Sequence, residues 1–433
     1  MTTLPKPIYF AGPDAPAEQD LYRCVRCGLC LQSCPTFVET GLETESPRGR
    51  LALMRAVLQE RAGLGEGLIE HLDLCLQCRA CEAVCPSGVP YGRVMEAART
   101  QIATRTKRGL RERLVRWATF DVLFKHMSLL RASFWVLKVY QRSGLQWIVR
   151  ESRVLKPFGG LDQLERQLLP LPKFFSIPRS QVVAATGTKK HRVAMLSGCV
   201  MPLAFGSVNA ATVRVLSRNG CEVVLPRVQG CCGALHTHSG EREGARDLAR
   251  RNIDAFLAAD VEAIVVNSAG CGSTMKEYRE LLRDDPVYAK KAERFSALVK
   301  DVHEYLASLP LVAPAGRVEA RVTYQDSCHL VYAQRVKDAP RKVLAAIPGL
   351  EFVEMENADM CCGAAGVYNI THRDLSNQIL AHKMEHAAAV KPQVIATANP
   401  GCMLQLRMGA EGAGLDVRVA HVIELLDEAY GPS

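Results

Sequence analysis

Seventeen cysteines stand in this chain of 433 residues, and eight of them fall into two short runs near the N-terminus. The first run is Cys24, Cys27, Cys30 and Cys34, followed by Pro35; the second is Cys75, Cys78, Cys81 and Cys85, followed by Pro86. Both have the C-x2-C-x2-C-x3-C-P spacing that holds two [4Fe–4S] cubanes. Three closely spaced thiolates wrap one corner of a cubane from a single loop, and the fourth, carried round on the next turn, reaches the other cluster. That wiring gives cluster one Cys24, Cys27, Cys30 and Cys85, and cluster two Cys75, Cys78, Cys81 and Cys34. Each proline lacks an N–H and fixes φ, which stops the run just after its fourth ligand. Zinc is the competing reading of a C-x2-C pair. Four ligands satisfy zinc, however, and would leave the third and fourth cysteines of each run without a partition.

The other cysteines follow a second pattern. Cys199, Cys231, Cys232 and Cys271 are matched by Cys328, Cys361, Cys362 and Cys402 at offsets of 129, 130, 130 and 131 residues. In the first copy a strand over 193–197 ends at Gly198-Cys199, and a helix of about 14 residues follows. A strand over 222–225 then precedes Cys231-Cys232-Gly233, and one over 263–267 precedes Gly270-Cys271. The second copy places strands at 322–325, 352–355 and 394–398 before Cys328, Cys361-Cys362-Gly363 and Gly401-Cys402. Strands alternating with helices predict two small α/β domains with largely parallel sheets. Each cysteine then lies just past a strand end, the edge where open parallel sheets bind ligands, and the two domains could face a shared cleft. Gly233 and Gly363 suit positive φ or a close backbone approach. Cys221 has no counterpart and reads as a core residue. His329, beside Cys328, could be a ligand or proton donor, though an isolated histidine is more often structural.

The elements that position these cysteines can be bounded from composition. The length allows two to four domains. A hydrophobic content of 48% and a mean hydropathy of zero describe a soluble globular chain. Met1 to Pro16 carries proline and acid where a signal peptide needs an apolar stretch, which favours a reducing cytoplasm and speaks against disulfides. No run of about 18 apolar residues occurs, so nothing is expected to span a membrane.

Residues 1–20, with Pro5, Pro7, Pro13 and Pro16, read as an arm. Ser46-Pro47 suits a helix start, and Leu51, Met54 and Val57 continue it. Arg48 and Arg50 either offset the charge of the clusters or lie on a solvated surface. Gly63 to Gly67 reads as a turn. No dinucleotide, Walker or Cys-x-x-Cys-His motif is present, so the chain shows no flavin, nicotinamide, ATP or haem site of its own.

Between Arg99 and Arg150 twelve Lys/Arg face only Glu112 and Asp121, a net of +10, while the whole chain is at +9. Trp117, Trp135 and Trp147, with Phe120, Phe124, Phe134 and Tyr140, lie in the same stretch. Leu114, Val122, Leu129, Leu130, Leu137 and Val139 give it helical apolar spacing. A basic, aromatic, amphipathic helix can lie in a membrane interface, pack on a partner or join the chain's own core. No recognition motif accompanies the charge, so nucleic acid is not an expected partner. Residues 157–190, with Leu169-Pro170-Leu171-Pro172, read as a linker. The expected fold is α+β and multi-domain. It comprises an α-helical bis-[4Fe–4S] ferredoxin-like domain (1–100), a basic aromatic helical segment and linker (101–190), and two tandem α/β domains (191–315 and 316–433).

Taken together, the paired cluster runs, Ser46-Pro47-Arg48-Gly49-Arg50, Cys85-Pro86-Ser87-Gly88-Val89 and the two Cys-Cys-Gly repeats resemble the glycolate oxidase iron–sulfur subunit. Arg251 to Ala255 and Ser268 to Gly272 share the likeness. More broadly, the chain is similar to the cysteine-rich (CCG) domain family shared with heterodisulfide reductase and anaerobic glycerol-3-phosphate dehydrogenase subunits. The resemblance implies an electron-transfer subunit with two [4Fe–4S] clusters that serves flavoprotein subunits oxidising a 2-hydroxy acid. FAD would sit on those partners, and electrons would pass to a membrane acceptor such as quinone. The chain would lie peripherally on the cytoplasmic face of the cell membrane. There is one departure. The third segment of heterodisulfide reductase ends Cys-x-x-Cys, whereas Thr274 and Gln405 occupy the last position here. The CCG cysteines therefore stand as a further redox or docking site, and a heterodisulfide-reductase-like or glycerol-3-phosphate-dehydrogenase-type subunit with its own redox site is the alternative. A zinc-stabilised basic binding module is a third reading.

Overall fold

The computed structural model describes residues 8–158, 162, 165, 168, 171–172 and 181–431. Pro5 and Pro7 of the arm, and Leu169 and Pro170 of the expected linker, lie outside the described residues.

The cysteine runs sit in a small helical domain built from Glu18–Tyr22, Pro35–Thr40, Pro47–Leu58, Glu66–Asp73, Ala80–Ala83 and Tyr91–Arg105. Ser46 begins the third helix as the sequence suggests. Its hydroxyl accepts from the Gly49 N–H at 2.9 Å, and Pro47 fills the first helical position, where no N–H is needed. Pro35 does something different from stopping its run. It opens the helix Pro35–Thr40 with Cys34 as N-cap, because a fixed φ near −65° already suits a first helical turn. Leu51, Met54 and Val57 pack with Leu21, Leu72, Val94, Met95 and Ala98 into one core that also buries Cys75 and Cys81.

The arm is more than a tail. Phe10 is buried in that core, the Ile8 carbonyl accepts from Leu64 N–H, and Asp14 pairs with Arg242 and Arg246 of the first sheet domain. Two apolar residues between prolines have no periodicity to read, so the strap was not legible.

The basic stretch forms the helix Leu110–Arg116, a π-helical turn Trp117–Leu123, and the helices Met127–Arg142 and Leu145–Ser152. Phe120 and Leu130 are buried, whereas Trp117, Trp135 and Trp147 are 57%, 62% and 68% exposed. A simple core role therefore fails for this segment. No helix among the described residues is long and apolar enough to cross a membrane.

Two sheets follow. The first contains β1 (Val182–Val183), β2 (His191–Met195), β3 (Cys221–Val224), β4 (Ala263–Val266) and β5 (Val299–Asp301) in the order β1-β3-β2-β4-β5. All its pairings are parallel except β1 with β3. The second contains β6 (Ala320–Gln325), β7 (Leu350–Phe352), β8 (Val394–Thr397) and β9 (Arg418–His421), ordered β7-β6-β8-β9 and parallel throughout. The strand expected over 352–355 is the edge strand β7, set two residues earlier.

Strands β5 and β9, one per copy, escaped the sequence reading because each runs straight into a helix. Asp301 with Glu304, and His421 with Glu424, close capping boxes there. The two sheets share a core, in which Val193, Met195 and Val223 of the first pack with Val322, Tyr324 and Ala420 of the second. The helices Gly206–Arg218 and Val422–Tyr430 lie against each other over it, tied by Arg214 and Asp427.

Candidate metal centres and the cysteine sets behind them

The two N-terminal loops are built alike. In each, the residues flanking the middle cysteine take left-handed φ: Arg26 (59°) and Gly28 (89°) around Cys27, Gln77 (53°) and Arg79 (65°) around Cys78. Left-handed backbone at a non-glycine residue costs of order 1–3 kcal/mol and persists where a site demands it. Here it curls each loop so that its first three cysteines line one cavity.

Each loop opens on a cavity. Cys24, Cys27, Cys30, Cys81 and Cys85 line one of about 420 Å3. Cys34, Cys75, Cys78 and Cys81 line another of about 300 Å3. The fourth cysteine of each run thus stands in the cavity of the other run, and Cys81 touches both. Soft thiolate sets of four around a cavity fit an iron–sulfur cluster.

The cavities differ in exposure. Cys27 is exposed and Cys24, Cys30 and Cys85 are half-buried, whereas Cys34, Cys75, Cys78 and Cys81 are all buried. Burial pushes the Cys78 and Cys81 thiols well up, so cationic iron is what would hold them as thiolates there. Hydrogen bonds are already aimed at sulfur. Gln77 N–H donates to Cys75 Sγ at 3.4 Å, Tyr91 O–H to the same atom at 3.8 Å, and Val89 N–H to Cys85 Sγ at 3.5 Å.

Arg50 settles the question left open at the sequence level. It has no exposed surface, and its guanidinium donates to Thr36, the Glu45 carboxylate and carbonyl, and the His71 carbonyl. Burial works against its charge, but Cys75, Tyr91, Cys34 and Glu45 together hold the pKa above the usual value. Arg48, by contrast, lies near the surface with Glu43 and donates to the Arg26 carbonyl of the first loop.

The repeated cysteines do converge, copy by copy. Cys231 is held well below the usual thiol pKa by hydrogen bonds from Cys199 and Cys232 and by the Gly233 N–H at 3.5 Å. The second set runs Cys328, Cys361, Cys362, Cys402 by the same contacts, with Cys362 pushed up to about 12, chiefly by its bond to Cys361. Gly233 and Gly363 both take positive φ, and a Cβ on Gly363 would come within 2.7 Å of the Ser376 carbonyl. Cys221 is buried in the shared core, as its lack of a counterpart suggests.

The copies face one another. Asn399 accepts from Ser268 and from the Gly270 N–H at 3.3 Å each, and Gln334 donates to the Ala269 carbonyl at 2.9 Å. The second set also abuts the inner cavity, since Cys78, Leu76, Cys361 and Tyr368 pack together with Cys328 beside them.

Several contributors escaped the sequence reading. Lys383 is fully buried, donates to the Asn357 carbonyl, and is pulled down to about 8 by burial against the opposing pull of Cys362 and Cys361. Arg79 pairs with Glu277 across 198 residues. Gln405, at the position of the missing cysteine, donates to Ser376 at 2.9 Å and accepts from Asn369 at 3.1 Å. None of these carries a motif. They are found only once the chain is folded.

Comparison with known proteins gives three family matches: a 4Fe-4S dicluster domain over residues 20–89, the linker region of glycolate oxidase iron-sulfur subunits over 111–168, and a cysteine-rich domain over 193–276 and again over 322–407. The chain is 45% identical to a probable glycolate oxidase iron-sulfur subunit of Bacillus subtilis, covering 96% of this chain and 95% of that one. It is 35% identical to the glycolate oxidase iron-sulfur subunit of Escherichia coli over 95% of each. Lactate utilization protein A of Geobacillus thermodenitrificans matches at 31% over 54% of this chain and 98% of its own. A hypothetical protein from Helicobacter pylori aligns over 78% of this chain at a TM-score of 0.43 and 10% identity, too distant to argue from.

Proposed function

The chain belongs to the glycolate oxidase iron–sulfur subunit family, and from that premise we propose that it is the electron-relay subunit of a flavoprotein-dependent 2-hydroxy-acid dehydrogenase. The observation that carries the reading is the pair of adjoining cysteine-lined cavities, one with exposed and half-buried thiols and one with buried thiols. Bound there by Cys24, Cys27, Cys30 and Cys85, and by Cys75, Cys78, Cys81 and Cys34, two [4Fe–4S] clusters would supply one-electron relay chemistry. The protein's own residues do the rest. Arg50 offsets negative charge beside the inner cavity, and Tyr91 and backbone N–H groups bond sulfur.

Val25, 68% exposed, lines the outer cavity, and Leu29 and Val84, the sequence neighbours of its Cys30 and Cys85, are 60% and 40% exposed. Apolar side chains around a redox opening suit the docking face of a flavoprotein partner carrying FAD. The linker helices supply a second face, where the three exposed tryptophans stand among exposed Arg111, Arg113, Arg131 and Arg142. That pairing suits peripheral attachment to an anionic membrane, from which a quinone acceptor would come.

Metal analysis with low-temperature EPR on anaerobically purified, dithionite-reduced protein tests the reading. About eight Fe per chain and two coupled cubane signals are expected. Zinc without iron would end it. A second reading has one specific observation behind it: Cys361 and Cys328 pack against Cys78. On that reading the CCG half holds its own redox centre, as in the alternative heterodisulfide-reductase-like or glycerol-3-phosphate-dehydrogenase-type subunit, and about twelve Fe or more would be found.

A further inference from the structure

The second cysteine loop is gripped by both sheet domains. From the second repeat, His329 Nε2 donates to the Gln77 carbonyl at 3.1 Å and the Tyr368 hydroxyl to the Leu74 carbonyl at 3.0 Å. Toward the first repeat the loop extends Arg79, the residue after Cys78. Its two terminal nitrogens donate to the two carboxylate oxygens of Glu277, Nη2 to Oε2 at 3.2 Å, and Glu96 stands 3.8 Å from Nη2. This is the forked geometry of a charged pair. Glu277 directly follows the helix Ala269–Lys276, which carries Cys271.

Arg79 is built into its place. It is 7% exposed and holds a left-handed φ of 65°, which the contacts around it must maintain. A Cβ on Gly92 would lie 2.1 Å from Arg79 Nε, so the bare Gly92 backbone is what lets the guanidinium pass. The side chain lines the inner cavity together with Cys34, Cys75, Cys78 and Cys81, and it also lines a cleft of about 980 Å3 with Glu96 and Glu277. Burial works against its charge, and Glu277, Glu96 and Glu82 hold its pKa above the usual value. An apolar contact or a surface ion pair would suffice to tether two domains. A buried guanidinium in the wall of a four-thiol cavity instead fixes positive charge where thiolate-bound iron would be negative.

We infer that Arg79 raises the reduction potential of the cluster proposed for the inner cavity, and that Glu277, from the first repeat, moderates it. This deepens the two-cluster relay reading and rests on it. It gives the first repeat a part in the relay that acts through charge. Uptake of an electron adds negative charge to the site, which a nearby fixed cation favours and a carboxylate opposes. The Glu277 side chain is 35% exposed and so better screened by water, which leaves Arg79 the stronger of the two.

Redox titration followed by EPR, on the full-length protein purified anaerobically, reads the potentials of the two clusters. In Arg79→Met the cation is gone while Glu277 and Glu96 remain. The reduced-to-oxidised ratio of one cluster, taken at its wild-type midpoint, should fall about tenfold, a shift of about 59 mV for one electron. In Glu277→Gln, which keeps the shape and removes the charge, the same cluster should move the opposite way, by about threefold. Arg79→Lys should stay nearer wild type than Arg79→Met. The other cluster should not move in any of the three, because Arg79 does not line the outer cavity. A mere tether would cost both variants stability and give no opposed shifts. Shifts of the same sign in Arg79→Met and Glu277→Gln, or equal shifts of both clusters, would overturn the inference. If Arg79→Met does not fold, an unshifted Glu277→Gln overturns it alone. Wild-type protein with a single cubane signal and about four Fe would remove the two-cluster reading itself, and this inference with it.

Discussion

Arg50 has all three guanidinium nitrogens engaged inside the cluster domain, with Glu45, Thr36 and the His71 carbonyl. Arg50→Met would leave the Glu45 carboxylate buried with only His71 beside it. Breaking a buried pair from one side costs about 3–5 kcal/mol. Thermal unfolding should fall accordingly, and Arg50→Lys should recover less than half, since an ammonium cannot reproduce the planar fork. A wild-type melting point in Arg50→Met would show that the pair contributes nothing. The cysteines divide similarly. Cys27 is exposed and lines only the outer cavity, so Cys27→Ala should lose about four Fe and one of two EPR signals. Loss of all iron from that variant would show that the two sites do not load separately.

At the scale of elements, the two loops and the linker helices make separable predictions. Val25→Asp with Leu29→Asp should weaken co-purification of the flavoprotein subunits while leaving iron content unchanged, because both side chains are largely exposed. Trp135 and Val139 are one helical turn apart and both exposed. Replacing both by Asp should release the chain from anionic vesicles in a flotation assay, and retained binding would place the membrane face elsewhere.

These elements also show what a sequence can and cannot say. The cluster loops were legible because a cubane imposes ligand spacing along a few residues of chain. The sheets were legible from short apolar runs ending in repeated cysteines, although β5 and β9 were hidden where a strand passes into a capped helix with no intervening turn residue. Lys383 and the Arg79–Glu277 pair were not legible. Their meaning comes from partners up to about two hundred residues away, which no local period encodes.

For the whole molecule, the core beneath the cysteine loops is separate from the core shared by the two sheets. Removing iron with a chelator should therefore expose amides of residues 8–105 to hydrogen exchange while those of β2, β4, β6 and β8 stay protected. Uniform loss of protection would mean one cooperative unit. The packing of Cys78 against Cys361 has a further consequence, in time rather than in space. The ribosome finishes the Cys361 segment nearly three hundred residues after Cys78. Once it docks, the Cys78 side of the inner cavity is packed against Cys361. If that cavity receives its cluster as proposed, delivery is least obstructed while the nascent N-terminal domain has emerged and the last sheet has yet to fold. A cell short of iron at that moment would make a chain that folds over the Cys78 side of its inner site before that site is filled.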